Sequence, residues 1–201
     1  MALEHALLVS LRERPATGIE LTRRFDRSIG FFWRATHQQI YKVLRRMESD
    51  GWVTAAPGDS RSTERRYSVA PTGEEVLAEW IGTPTPAVTL RSELAVKMRG
   101  ASYGDRRQLL GHIESLVEDH RGRLAHFEQL EREQFPQTKH QPDSLTGHDL
   151  DTWLVLRGGI KQEQFWIEWL TEYLEGHGVS TSSTTGDGPT TGDGPTHERT
   201  R

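Results

Sequence analysis

A mostly α-helical chain with one small β-hairpin, built as two folded parts and a polar tail, is what this sequence predicts. Three observations carry that expectation. Apolar residues recur three and four positions apart over several stretches, which gives a helix one buried stripe. Two short β-rich segments, Trp52-Val53-Thr54 and Tyr67-Ser68-Val69, flank a turn at Pro57-Gly58-Asp59. Midway, Gly82-Thr83-Pro84-Thr85-Pro86 breaks the helical pattern, because proline has no N–H to donate.

The elements follow in order. Leu3, Leu7, Leu8 and Leu11 place a first helix up to about Arg14, where Pro15 stops it. Thr17-Gly18 opens a second helix containing Ile19, Leu21 and Phe25, and Ser28-Ile29-Gly30 ends it. The aromatic run Phe31-Phe32-Trp33 reads as core packing under the turn. Thr36-His37-Gln38-Gln39 matches a capping box, so Thr36 is the expected N-cap of the third helix. Ile40, Val43, Leu44 and Met47 then occupy one face of that helix, and Asp50-Gly51 ends it. After the hairpin, Pro71-Thr72-Gly73 starts a fourth helix running to Trp80.

Beyond the prolines, residues from Leu90 to about Arg99 suit a short helix. A long helix is expected from Asp105 to about Glu133, with Leu109, Ile113, Leu116, His120, Leu124, Phe127 and Leu130 close to a coiled-coil seam. Phe135-Pro136 ends it, residues 137–147 read as a polar loop, and Leu150 to Leu174 form the last helix. Thr184-Thr-Gly-Asp-Gly-Pro189 is repeated as Thr190-Thr-Gly-Asp-Gly-Pro195. Such composition cannot bury enough apolar area to offset its ordering entropy, so 177–201 is expected to be a disordered low-complexity tail. The domains are therefore expected at 1–82 and 88–176.

Composition removes several classes of function. The 201 residues contain no cysteine, which excludes disulfides, thiolate-bound zinc and thiol nucleophiles. No apolar run approaches membrane-spanning length, and the N-terminus lacks a basic leader, so a soluble cytoplasmic protein is expected, with no membrane partner. Net charge is −4, but the charge is unevenly placed. Residues 12–66 carry 12 Lys and Arg against 7 Asp and Glu, whereas 83–201 carry 13 against 18. A basic head on an acidic body fits a nucleic-acid reader attached to a part that does not touch nucleic acid.

Three helices followed by a basic hairpin is the order of a winged helix-turn-helix, whose third helix enters the major groove. His37, Gln38 and Gln39 occupy that helix's first turn, and glutamine can pair bidentately with adenine. Lys42 and Arg45 follow on the same exposed face, able to meet bases or phosphates, and Tyr41 lies between the faces with its hydroxyl in reach of a phosphate. In the hairpin, Arg61, Arg65 and Arg66 are candidates for the minor groove or the backbone. Strand alternation sends Arg65 and Arg66 to opposite faces, so one of them at most points at DNA directly. Alone, either segment reads as a solvated charged surface; their conjunction favours DNA.

These residues resemble the PadR-like winged-helix transcription regulators. Leu3-Glu4, Leu7-Leu8 and Leu11 followed by Thr17-Gly18-Ile19-Glu20-Leu21 look like that family's first two helices. Trp33, Ile40-Tyr41, Leu44, Met47-Glu48 and Gly51-Trp52-Val53 are similar to its recognition-helix motif, and Arg65-Arg66-Tyr67-Ser68-Val69 with Thr72 and Gly73 to the end of its wing. Leu156-Arg157-Gly158 and Trp166-Ile167-Glu168-Trp169 look more loosely like its helical C-terminal dimerisation domain. The resemblance implies a homodimer, often a repressor of a double-stranded operator, released by a small ligand or another signal. Ile19 and Met47 depart from the family pattern and read as tolerable core swaps.

Other chemistry is weak. His112, His120 and His126 share the long helix, but none stands four residues from another, so no helical metal site is expected and they read as surface or interface residues. No nucleophile elbow or phosphate loop is present, so neither enzyme activity nor a cofactor is expected; Gly158-Gly159 reads as a packing feature or kink. Trp153, Trp166 and Trp169 read first as core or interface, and as a sharper alternative as the lining of a dimer cavity for a flat hydrophobic effector. The rival to a DNA-binding regulator is a winged-helix adaptor whose basic face binds an acidic protein.

Overall fold

The structure, a computed structural model, describes residues 2–27, 35–57, 64–85, 92–136 and 144–179. It divides into two compact units, residues 1–91 and 92–201. The expected helix stop at Ser28-Ile29-Gly30, the aromatic run 31–33, the Gly58-Asp59 turn, Arg61, most of the 137–147 loop and the tail from 180 lie outside the described residues.

In the first unit, α1 (Ala2–Glu13) and α2 (Gly18–Arg27) precede α3 (His37–Ser49), and α4 (Pro71–Gly82) closes it. A two-residue strand, β1 (Ala16–Thr17), pairs antiparallel with β3 (Arg65–Val69), which also pairs with β2 (Val53–Pro57). The sheet order is β1-β3-β2, so the hairpin is held at its base by the link between α1 and α2. Leu7, Leu8 and Leu11 from α1, Leu21 and Phe25 from α2, and Ile40, Leu44 and Met47 from α3 form one buried core with Val53, Tyr67 and Leu77. Each such side chain removed from water contributes about 1.5–3 kcal/mol. Met47 is fully buried, in keeping with a core swap, but Ile19 is 40% exposed and belongs to the surface of α2. Its position in the first turn, outside the packed stripe, is the reason.

Gly51 has φ +72, the left-handed conformation that lets the chain leave α3 and turn into β2. Gly73 is buried in the first turn of α4; a Cβ there would lie 2.1 Å from the Trp52 carbonyl oxygen, which accepts the Ala70 N–H at 2.9 Å. Those contacts fix α4 against the start of β2.

The second unit contains α5 (Glu93–Arg99), a 3-10 turn at Ala101–Tyr103, α6 (Arg106–Gln134) and α7 (Gly147–Gly176). Ser92 caps α5 and Asp105 caps α6, each accepting a backbone N–H three residues on at 3.1 Å. α6 and α7 run antiparallel: Glu131 meets Trp153 and Arg157, and His120 meets Glu163. Met98, Ile113, Val117, Leu170 and Leu174 are the buried centre. Val117, absent from the expected seam, is buried, while Leu116 and His120 are only partly so. α7 continues through Gly158-Gly159 without a break, and only Gly159 is buried. It begins at Gly147 rather than Leu150 and is followed by a turn in which the Val179 N–H reaches the Leu174 carbonyl at 3.0 Å. The first three residues expected in the tail therefore cap α7. Among the described residues no helix is long and apolar enough to cross a membrane, and no three acidic or imidazole side chains could hold a metal ion.

Candidate nucleic-acid interface

The polar face of α3 is set by its first turn. Thr36 Oγ1 accepts the Gln39 N–H at 3.2 Å, and Gln39 Oε1 accepts the Thr36 N–H at 2.8 Å, a reciprocal capping box. From that start, Ile40, Leu44 and Met47 are buried and Val43 is half-buried, so the helix is anchored along one side. Helical periodicity then turns His37, Gln38, Lys42 and Arg45 outward, and all four are exposed. With Tyr41 they line one open surface concavity. Tyr41 is half-buried because its ring lies against the start of α2: a Cβ on Gly18 would approach its Cε1 to 2.3 Å.

Of the remaining expected contacts, Gln39 is exposed but its amide oxygen is engaged in the cap. Arg65 and Arg66 point to opposite sides of the hairpin, as alternation requires. Arg65 makes a forked ion pair with Glu48 in the last turn of α3, one branch at 3.0 Å. Arg66 donates to the Pro15 carbonyl at 2.9 Å and pairs with Glu20 at 3.2 Å. Glu20 also accepts the Thr17 N–H at 2.8 Å, while its own N–H reaches Thr17 Oγ1 at 3.2 Å. The Thr17 hydrogen bond and, behind it, the Arg66 charge hold the Glu20 carboxyl below its ordinary pKa. Arg65 and Arg66 are thus each paired with a carboxylate of the helical body.

Sequence reasoning passed over two groups. Glu4 of α1 is buried and ion-paired with Arg46 of α3. Nothing local marks Glu4 as buried, since its partner is 42 positions away. The Thr17–Glu20 box was legible by the same pattern that located Thr36, a hydroxyl residue followed three positions later by Glu or Gln. By contrast, Lys42 and Arg45 make no salt bridge among the described residues.

The three tryptophans of the second unit do not form one site within a protomer. Trp153 Nε1 donates to Glu131 at 2.9 Å. Trp166 and Trp169 lie together 5.4 Å apart, and Trp166 stacks on His120 at 5.6 Å. Trp153 and Trp166 stand thirteen positions apart, about 20 Å along a helix. His120 is a largely buried seam residue rather than a surface one: its Nδ1 lies 2.5 Å from Glu163, which also receives Arg123 Nε at 3.2 Å.

A recessed hydrophobic anchor, an outward polar helix face and a small sheet bearing a wing define a DNA-binding winged-helix transcriptional regulator. Residues 7–79 match the model of the transcriptional regulator PadR-like family, and residues 90–177 that of the virulence activator alpha C-terminal region. The probable transcriptional regulator Rv1176c of Mycobacterium tuberculosis is 42% identical over 187 residues, 87% of this chain and 97% of its own. The chain belongs to the PadR-like family of transcriptional regulators. The virulence activator AphA of Vibrio cholerae has the same fold, with TM-score 0.72 and 32% identity over 88% of this chain and 98% of that one. Bacillus subtilis PadR in complex with operator DNA also superimposes with TM-score 0.72, at 22% identity over 87% and 98%, a likeness of fold.

Proposed function

We propose that the chain is a homodimer that binds a double-stranded operator sequence-specifically and represses transcription in the cytoplasm until a small ligand or another signal releases it. Residues 1–82 bind DNA in this reading, and 88–176 dimerise and receive the signal. The observation that carries it is the distribution of positive charge around α3. Arg46, Arg65 and Arg66 are each paired with a carboxylate, whereas Lys42 and Arg45 stand on the exposed face with no acidic partner among the described residues. Cations left in this way on a groove-sized helix suit phosphate, and His37 and Gln38 before them suit base edges. Tyr41 supplies a hydroxyl at the edge of the same concavity. Arg65 and Arg66 hold the wing to the body, and Gln39 holds the cap.

Repression is supported by a relative's name, the negative transcriptional regulator PadR of Bacillus subtilis, 23% identical over 176 residues. A flat aromatic effector is supported by the same fold in that protein's complex with p-coumaric acid. The Trp166–Trp169 pair with Phe165 is the aromatic surface that suits such a ligand.

Anisotropy titrations with duplexes from the region upstream of the protein's own gene test DNA binding. Gln38→Ala is expected to reduce discrimination between operator and scrambled duplex about tenfold, since a bidentate base contact contributes ~1–3 kcal/mol. Lys42→Ala and Arg45→Ala are expected to weaken both duplexes alike and to flatten the salt dependence by about 0.9 per lost phosphate contact. Unchanged binding in all three variants places the interface elsewhere. A reporter that falls, rather than rises, on deletion of the gene counts against repression.

A further inference from the structure

We propose that Glu48 is a specificity-determining residue that acts by withholding Arg65 from the DNA backbone. The inference rests on the DNA-binding reading of α3 given above. With about 3.6 residues per turn, Gln38, Lys42 and Arg45 lie within a narrow stripe of α3, and Glu48 falls on the flank shared with Tyr41. Glu48 is the acidic end of the surface that carries Lys42 and Arg45. It is 29% exposed and grips the Arg65 guanidinium through both carboxylate oxygens. Arg65 itself is 53% exposed and belongs to the strand leading back from the wing. The other flank of α3 repeats the arrangement, with Arg46 held by buried Glu4.

A forked carboxylate–guanidinium pair has the same geometry as an arginine–phosphate pair, so the two compete for one fork. An arginine engaged by Glu48 releases no counterion from the duplex, and counterion release is the sequence-independent part of binding. Neutralising Glu48 transfers Arg65 to phosphate. Affinity for any duplex then rises, while the base contacts that distinguish the operator are untouched.

The test uses the full chain, an upstream-region duplex that the wild type binds and a scrambled duplex of equal length, each titrated over a range of salt concentrations. Glu48→Gln is expected to bind the scrambled duplex severalfold more tightly, to steepen its salt dependence by about 0.9, the increment for one phosphate contact, and to lower the operator-to-scrambled ratio. The gain should vanish in the Glu48→Gln, Arg65→Gln double variant relative to Arg65→Gln alone. Asp50→Asn, which removes the same charge two residues away from an exposed carboxylate, should not reproduce it. Thermal melting confirms that each variant is folded. An unchanged or flatter salt dependence in Glu48→Gln overturns the inference, as does a gain that persists without Arg65 or appears in full in Asp50→Asn. A wild type that binds no duplex overturns the DNA reading as well.

Discussion

Single residues decide how firmly α3 is held, and their chemistry makes separable predictions. Glu20 accepts the Thr17 N–H and faces Arg66, and its carboxyl is held below the ordinary 4.5 chiefly by that hydrogen bond. A carboxyl depressed in the folded state stabilises the fold above its ordinary value, and the contribution is lost as pH falls through the folded-state value. Melting temperature followed from pH 7 down to 3 should therefore fall less steeply for Glu20→Gln than for wild type below about pH 4.5. Parallel curves would show that the carboxyl does not couple to folding. Two glycines separate stability from function. At Gly73 an added Cβ meets the Trp52 backbone oxygen at 2.1 Å, which cannot turn aside. Gly73→Ala should cost about 1–3 kcal/mol in denaturant unfolding, as overpacking does. At Gly18 the obstacle is the ring of Tyr41, which can rotate away. Gly18→Ala should melt closer to wild type yet bind operator more weakly, because Tyr41 leaves the concavity; equal losses of stability in both variants would remove that distinction. Residues whose partners are near in sequence, Thr36 with Gln39, were legible beforehand. Arg65 and Arg66 were not, because their carboxylates are 17 and 46 positions away.

Among the elements, those with long amphipathic patterns were readable and those made by distant pairing were not. α3 was legible whole: a capping box at its start, a buried stripe at Ile40, Leu44 and Met47, and a left-handed glycine at its end. β1 was invisible, since two residues, Ala16 and Thr17, carry no period and exist as a strand only through Tyr67 and Arg66. The start of α7 was placed three residues late, because Thr146 makes no side-chain cap and so leaves no sharp mark. On α6, the spacing placed Leu116 in the expected seam and omitted its neighbour Val117, but Val117 is the buried one. His120 occupies its seam position because Glu163 and Trp166 of α7 enclose it. The cap of α3 is the element-scale test. Thr36→Ala leaves the Gln39 N–H without its side-chain partner and should lower stability by about 1 kcal/mol, within the range of N-cap losses. Thr36→Ser, which keeps the hydroxyl, should restore it. Failure of serine to rescue would mean that the methyl group, not the hydrogen bond, matters at this site.

For the whole molecule, charge asymmetry separated a basic head from an acidic body, but composition could not say which apolar surface is left uncovered. In the second unit, Leu154 and Phe165 are both more than half exposed. They lie eleven positions apart, about three helical turns, and so share one stripe of α7. Phe165 also contacts Trp166 and Trp169, which extends the stripe into an aromatic patch. An exposed patch of large apolar side chains, such as the one Phe165 forms with Trp166 and Trp169, marks a surface that a partner covers. In the homodimer proposed above, that partner is the same surface of a second copy, which a twofold axis makes self-complementary. In that proposal two winged-helix heads would address half-sites about one helical turn apart, and the operator contacts of each would add to the other's. Phe165→Asp places a charge at the centre of the patch while leaving the buried Ile160, Leu170 and Leu174 in place. Sedimentation should show the variant shifted toward monomer at micromolar concentration, and its operator affinity should drop at least tenfold while its affinity for a scrambled duplex changes little. A variant that sediments as the wild type does would move the dimer interface off this face of α7 and leave the aromatic patch to the effector alone.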